Sequence, residues 1–225
     1  MMRKKAMLAQ NVGDYSKIKD NDWPLYLQPK LDGVRCIIQY ENGNVTAYSR
    51  TGKEWKNIDH ILFNLASWFK LNPNVILDGE LYNHDFKDDF EQIISMVRKT
   101  KPTDEDRSKS AKNVQFHCYD IIDETMTFAM RNEFIKQVVP RNHCVKHVDV
   151  KMVFNTEHVE AGHEDFLELG YEGSILRQNK PYECKRSWTL MKVKDFYDTE
   201  ATITDWVEGK GKRIGTIGKF MAIDA

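Results

Sequence analysis

Lys30-Leu31-Asp32-Gly33-Val34-Arg35 joins two largely apolar runs, residues 25–30 and 34–40. Both runs have the length and composition of strands, and Gly33 gives the backbone freedom for a sharp turn beside the lysine. Two cations, Lys30 and Arg35, thereby flank one turn. Outward from it, residues 45–49 read as a further strand, with Asn42-Gly43-Asn44 as the hairpin turn. Ile58, Ile61, Leu62, Leu65 and Phe69 recur at helical spacing, so a helix covers about 58–69 and Asn72-Pro73 ends it. Residues 75–82 are a strand and 86–98 a helix, with Phe90, Ile93, Ile94 and Val97 inward. The polar stretch 99–112 contains Pro102 and is expected to be a mobile loop.

Beyond it the pattern gives a strand at 114–122, a short helix at 130–139 and a strand at 145–154. Thr156 is expected to cap a helix that Gly170 stops, with Glu157 in its first turn. Residues 174–176 and 190–193 are short strands. The fold class is therefore α+β: antiparallel sheets flanked by helices. The register changes after Phe196. Strands at 201–207 and 216–223 enclose the glycine-rich basic turn Glu208-Gly209-Lys210-Gly211-Lys212-Arg213-Ile214-Gly215. One hairpin cannot bury a core of its own, so it is expected to open a second domain whose remainder is absent.

The 225 residues are 41% hydrophobic and 30% charged, enough for a sizeable core and too apolar for a disordered chain. Lys+Arg 33 against Asp+Glu 34 leaves a net charge of -1, so any anion site is a local patch. Cys36, Cys118, Cys144 and Cys184 form no CxxC pair, which argues against a zinc ribbon and for reduced thiols in a cytoplasmic protein. No apolar run follows Met1-Met2-Arg3-Lys4-Lys5, so neither a signal peptide nor a membrane span is expected.

Charged residues recur at strand ends. Ser49-Arg50-Thr51-Gly52-Lys53 sets two cations and two hydroxyls around a glycine. Asp78-Gly79-Glu80 puts two carboxylates on one face of an apolar strand, where unpaired charge is costly and a metal or donor is expected. Tyr119-Asp120 closes another strand, Glu172-Gly173-Ser174-Ile175-Leu176-Arg177 adds a third carboxylate, and Lys192-Val193-Lys194 sets two lysines on one face.

In that order these segments resemble the covalent nucleotidyltransferase superfamily, and within it compact phage- or viral-type ATP-dependent DNA ligases. Lys30 to Arg35 matches KxDGxR, residues 49–53 the SRTGK segment, 78–80 the DGE motif, and Tyr119-Asp120 the aromatic-Asp pair. Glu172-Gly173 with Arg177 matches EGxxxR/K, residues 192–194 match KxK, and Met7-Leu8-Ala9 resembles a lead-in of these ligases. Each motif is weak alone; six in order are specific.

The resemblance implies an ATP-grasp-like adenylation domain over residues 1–198 and the first hairpin of an OB-fold domain, incomplete, over 199–225. It implies Lys30 as the nucleophile that forms lysyl-AMP, with Lys192 and Lys194 on the α-phosphate. Glu80 and Glu172 become ribose and metal carboxylates, with Asp32 and Asp78 behind them, and the metal Mg²⁺. Arg35 and Arg50 suit forked contacts with ribose and phosphates. Tyr119 and Ile175 enclose adenine, and Gln28 reads its amine. Arg50, Lys53, Arg177 and Arg186 are expected to contact DNA phosphates.

The implied activity is nick joining in duplex DNA through lysyl-AMP and DNA-adenylate, by a cytoplasmic monomer of a bacterium or a virus-infected cell that touches no membrane. RNA ligase and RNA-capping guanylyltransferase share KxDG, the EG motif and KxK. A catalytically impaired fragment that binds nucleotide or nicked DNA also fits the missing C-terminal part of the OB-fold. The NAD-dependent branch does not fit, since its N-terminal domain and zinc module have no counterpart. His143, Cys144 and His147 start a predicted strand and are set aside as a metal site.

Overall fold

The structure, a computed structural model, describes residues 4–13, 15–194 and 200–224. Two compact units divide the chain, 1–194 and 195–225. The domain boundary expected at 198/199 lies outside the described residues, as do Met1, Met2 and Arg3.

The first unit runs β1 (Leu8–Asn11), β2 (Leu25–Pro29), β3 (Val34–Glu41), β4 (Asn44–Tyr48), α1 (Asp59–Leu71) and β5 (Ile76–Tyr82). It continues through α2 (Phe90–Val97), α3 (Asp104–Asn113), β6 (Gln115–Ile121), α4 (Phe128–Val138), β7 (Val145–His147) and β8 (Lys151–Val153). It closes with α5 (Thr156–Glu168), β9 (Ser174–Arg177) and β10 (Arg186–Val193). Two five-stranded sheets result, in the orders β4-β3-β5-β6-β7 and β1-β10-β9-β2-β8. Most pairings are antiparallel. The purely antiparallel expectation is corrected at two edges, where β1 runs parallel to β10 and β7 parallel to β6.

Each sheet buries one face against helices, as the alternation of its strands requires. Ile38, Leu77, Leu81 and Phe116 of the first sheet pack with Ile61, Leu65 and Phe69 of α1. Leu25, Leu27, Leu176 and Met191 of the second pack with Val159 and Phe166 of α5. A third cluster joins the sheets: Ile37 of β3 and Leu190 of β10 meet Met7 and Tyr182.

Several sequence expectations change. Residues 99–112 are not a loop, because α3 occupies 104–113. Thr103 Oγ1 accepts from the Asp106 N–H at 3.2 Å and Asp106 Oδ2 from the Thr103 N–H at 3.0 Å, a capping box directly after Pro102. The stretch 145–154 is two strands in different sheets: β7 pairs with β6, and β8 with β2. The helix expected from 86 begins at Phe90, after a 3-10 turn over His84–Phe86 capped by Asn83. Asn155, not Thr156, caps α5, its side chain accepting from the His158 N–H at 2.9 Å.

The second unit is the hairpin β11 (Ala201–Glu208) and β12 (Ile217–Asp224). Its ladder shifts register between Ile203 and Asp205 and again between Val207 and Glu208. Among the described residues, no helix is long and apolar enough to cross a membrane.

Candidate active site

β2 delivers Lys30 to a cavity of about 340 Å³ lined by both sheets of the first unit. The Lys30 N–H donates to Gly173 O at 2.8 Å, and Lys30 O accepts from the Glu172 N–H at 3.2 Å. Gly173 has φ +148, and a Cβ there would lie 2.6 Å from Val193 O. Only glycine lets the 172–173 turn pass so close to the end of β10. The three segments carrying Lys30, Glu172 and Lys194 are thus one backbone junction.

Their side chains meet as well. Lys30 Nζ donates to Glu172 Oε2, and Lys194 Nζ donates to Glu172 Oε1 at 2.5 Å. Burial works to raise the Glu172 pKa, but the hydrogen bonds from Lys194 and Lys30 prevail and hold it below the ordinary value. Asp32 goes the other way, raised by burial and then by the Glu172 charge.

Gly33 serves packing more than turning. Its added Cβ would lie 2.6 Å from both Glu80 Cγ and Leu81 O, so the turn after Lys30 rests directly on β5. Glu80 accepts from Tyr119 Oη at 3.2 Å. Burial pushes its pKa up to about 7, against the opposing pull of Arg35. Asp78 is no companion ligand: Arg35 Nε donates to its Oδ1 at 2.6 Å, Tyr182 Oη donates to its Oδ2 at 2.7 Å, and it is fully buried. The pair therefore does different work on one strand, Asp78 holding Arg35 and Glu80 facing the cavity.

Gln28, Lys30, Arg35, Arg50, Glu80, Tyr119, Ile175, Arg177, Arg186 and Lys192 all line the cavity. Glu172 and Lys194 join it through the Lys30 contact. An adjoining recess of about 410 Å³ is lined by Arg50, Lys53 and Arg98 with the hydroxyls of Ser49 and Thr51. Arg186 is exposed and donates to Ala9 O. Arg177 corrects the expected DNA track. It is 4% exposed, its guanidinium lying against the rings of Tyr119 and Phe128, and Asp120 and Gln28 take its donors. Arg131 and Tyr182, which hold Asp120 and Asp78, have no motif to announce them. Their only signal is the presence of two apolar-strand carboxylates that need donors.

The family model of the ATP-dependent DNA ligase domain matches residues 6–194. The chain belongs to that family. A DNA ligase of African swine fever virus (strain Badajoz 1971 Vero-adapted) is 31% identical over 212 residues, covering 85% of this chain and 46% of the viral protein. The chain thus spans about half the length of the curated viral relatives it matches. A solved structure from a study of DNA binding by Lig E DNA ligases superposes with a TM-score of 0.72 at 25% identity, over 99% of this chain and 81% of that one. The ATP-dependent DNA ligase of bacteriophage T7 in complex with ATP shares the fold, with a TM-score of 0.69 at 17% identity over 99% of this chain and 80% of that one. The family match covers every segment of the first unit that carries a charged motif, from Lys30 to Lys194. All four cysteines are free thiols, and the described residues contain no group of three His, Cys, Asp or Glu side chains that could cage a metal.

Proposed function

We propose that this chain is the adenylating part of an ATP-dependent DNA ligase that seals nicks in duplex DNA. Lys30 Nζ attacks the α-phosphorus of ATP, a P–N bond forms, and pyrophosphate leaves. The AMP then passes to the 5′-phosphate at the nick, and the 3′-hydroxyl displaces it. The observation that carries this reading is the Lys30–Glu172–Lys194 contact at the edge of a cavity that also holds Lys192, Tyr119, Ile175 and Glu80.

An amine attacks only when neutral, and Glu172 is the acceptor already touching Nζ. Lys192 and Lys194 supply positive charge where the α-phosphate charge develops. Arg35, oriented by Asp78, and Arg50 at the mouth suit ribose and phosphate oxygens. Tyr119 and Ile175 offer a ring face and an apolar surface to adenine.

Mg²⁺ fits this donor set. It commonly takes one or two carboxylates and completes its shell with waters and substrate phosphates, so it needs no three-carboxylate cage. Glu80 and Glu172 would hold it, and it would supply charge neutralisation to the phosphates. Arg50, Lys53 and Arg186, exposed around the mouth, form a phosphate track for DNA. The hairpin of the second unit, with its bulged ladder and basic turn, is read as strands of an OB-fold domain. The protein is further proposed to act as a cytoplasmic monomer.

The test is incubation with labelled ATP or GTP, followed by denaturing gel and mass spectrometry. Wild type should carry AMP on Lys30 and Lys30→Ala none. An adduct on another lysine, or one that persists in the variant, removes Lys30 from the role. An adduct formed from GTP alone replaces the ligase reading with guanylyl transfer.

A further inference from the structure

We infer that Arg177 is a positioning residue that locks the Gln28 side-chain amide in one orientation, and that this orientation selects a 6-aminopurine over a 6-oxopurine. The inference rests on the nucleotide-binding reading above.

Gln28 and Ile175 are register partners on β2 and β9, and Arg177 stands two residues from Ile175 on the same face. All three line the cavity beside Tyr119. Arg177 Nε donates to Gln28 Oε1 at 2.6 Å, and its NH1 donates to Asp120 Oδ2 at 2.7 Å. Asp120 is in turn gripped by Arg131, at 2.6 Å to Oδ1 and 3.1 Å to Oδ2, and Arg131 NH1 donates to Met126 O and Lys180 O. Arg177, Asp120 and Arg131 are 4%, 0% and 1% exposed, so the guanidinium has no room to turn.

A guanidinium donates and never accepts, so the Gln28 atom opposite Nε must be the oxygen. The other end agrees, since Gln28 Nε2 faces the Tyr119 carbonyl at 3.4 Å. A flipped amide would set NH₂ against the guanidinium and oxygen against a carbonyl oxygen. An amide oxygen has two acceptor positions and an amide nitrogen two hydrogens, so one of each stays unused. A 6-aminopurine offers the complement of that pair, an amino hydrogen beside a ring-nitrogen acceptor. A 6-oxopurine offers an oxygen where the amide needs a hydrogen. Asp120 already has a two-pronged partner in Arg131, so charge neutralisation alone does not account for the Arg177 Nε contact with Gln28.

The experiment measures binding of ATP and of inosine triphosphate, which differs at the 6-position and N1, to the full chain with Mg²⁺. Variants are Arg177→Lys, Arg177→Met and Gln28→Leu. Wild type should favour ATP by about tenfold to a hundredfold, the cost of mispairing buried polar groups. That ratio should fall to within about threefold in Arg177→Met and Gln28→Leu, where the amide is free to rotate or absent, and stay nearer the wild-type value in Arg177→Lys, whose ammonium also donates and never accepts. A merely structural role would lower both affinities together and leave the ratio intact in Arg177→Met, and that result overturns the inference. Gln28→Leu leaves Asp120 with both arginines and keeps the inference falsifiable if the Arg177 variants do not fold: an unchanged ratio there overturns it. Wild type that binds both nucleotides equally sinks the inference and leaves the ligase reading standing. Wild type that binds neither sinks both.

Discussion

The Tyr182 hydroxyl donates to Asp78 Oδ2 at 2.7 Å, tying a loop residue to a strand 104 positions earlier. The same oxygen accepts from the Met7 N–H at 2.7 Å. One hydroxyl thus gathers the segment before β1, the carboxylate of β5 and, through Asp78, Arg35 of β3. Tyr182→Phe keeps the ring and leaves Asp78 and the Met7 N–H each short of a partner. We expect a loss of about 1–3 kcal/mol in denaturant unfolding, the usual cost of stranding buried polar groups. A midpoint equal to that of wild type would mean that water replaces the hydroxyl at no cost.

Glu80 links the cavity to pH. Its pKa of about 7 in the fold stands above the ordinary 4.5, chiefly through burial. The native state therefore holds the proton more tightly than the unfolded chain between those values. Stability must fall as pH rises through that window, with the loss complete above about 7. Glu80→Gln carries no such charge. Its stability relative to wild type should be level near the acid end and rise to an advantage on the order of 1–3 kcal/mol above neutrality. Parallel unfolding curves at every pH would show that Glu80 has the same pKa folded and unfolded.

Tyr119 lines the cavity with its ring and reaches Glu80 with its hydroxyl. If the ring stacks on the base, Tyr119→Ala should weaken ATP binding by about 1–3 kcal/mol, the cost of losing one base–aromatic stack. Tyr119→Phe should cost much less in a calorimetric titration, because stacking needs no hydroxyl. Equal losses would assign the effect to the Glu80 hydrogen bond instead.

Residues whose chemistry demands one side-chain type at one place are legible in the sequence. Lys30, Glu172 and Lys192-Val193-Lys194 stand out in the sequence and come together in the fold, and the roles proposed for them, a nucleophile and phosphate-facing charge, leave few alternative side chains. Arg177 misleads because a run of cations from 177 to 194 looks the same whether its first member ends an interior strand or a surface one. Its burial comes from contacts distant in sequence, with the guanidinium on Asp120 of β6 and against the rings of Tyr119 and Phe128, which no local pattern shows. Helix α3 is hidden for a different reason. Of its residues only Ser110 is buried, so it has no apolar stripe, and Pro102 looks like a breaker although it precedes a cap. Residues 145–154 alternate as a strand should. Alternation reports two faces and not which sheet receives them, so the break between His147 and Lys151 leaves no mark on the pattern.

Lys194 separates stability from function. Its side chain is 38% exposed and its one described ion pair is with Glu172. Half-exposed ion pairs contribute little, so Lys194→Met should unfold within about 1 kcal/mol of wild type. Glu172 would then keep Lys30 as its single cationic partner, and its pKa should climb back toward the ordinary carboxylate value. The proposed chemistry loses more. A cation set beside the point of attack stabilises charge that exists only in the transition state, and removing one such group costs on the order of 10²-fold in rate. Lys194→Met should therefore hold its melting temperature while forming the lysyl adduct about a hundredfold more slowly. Single-turnover labelling with ATP, run beside thermal unfolding on the same preparation, reads both. A variant that labels at the wild-type rate would leave Lys194 as a surface partner of Glu172 and shift the α-phosphate role to Lys192 alone.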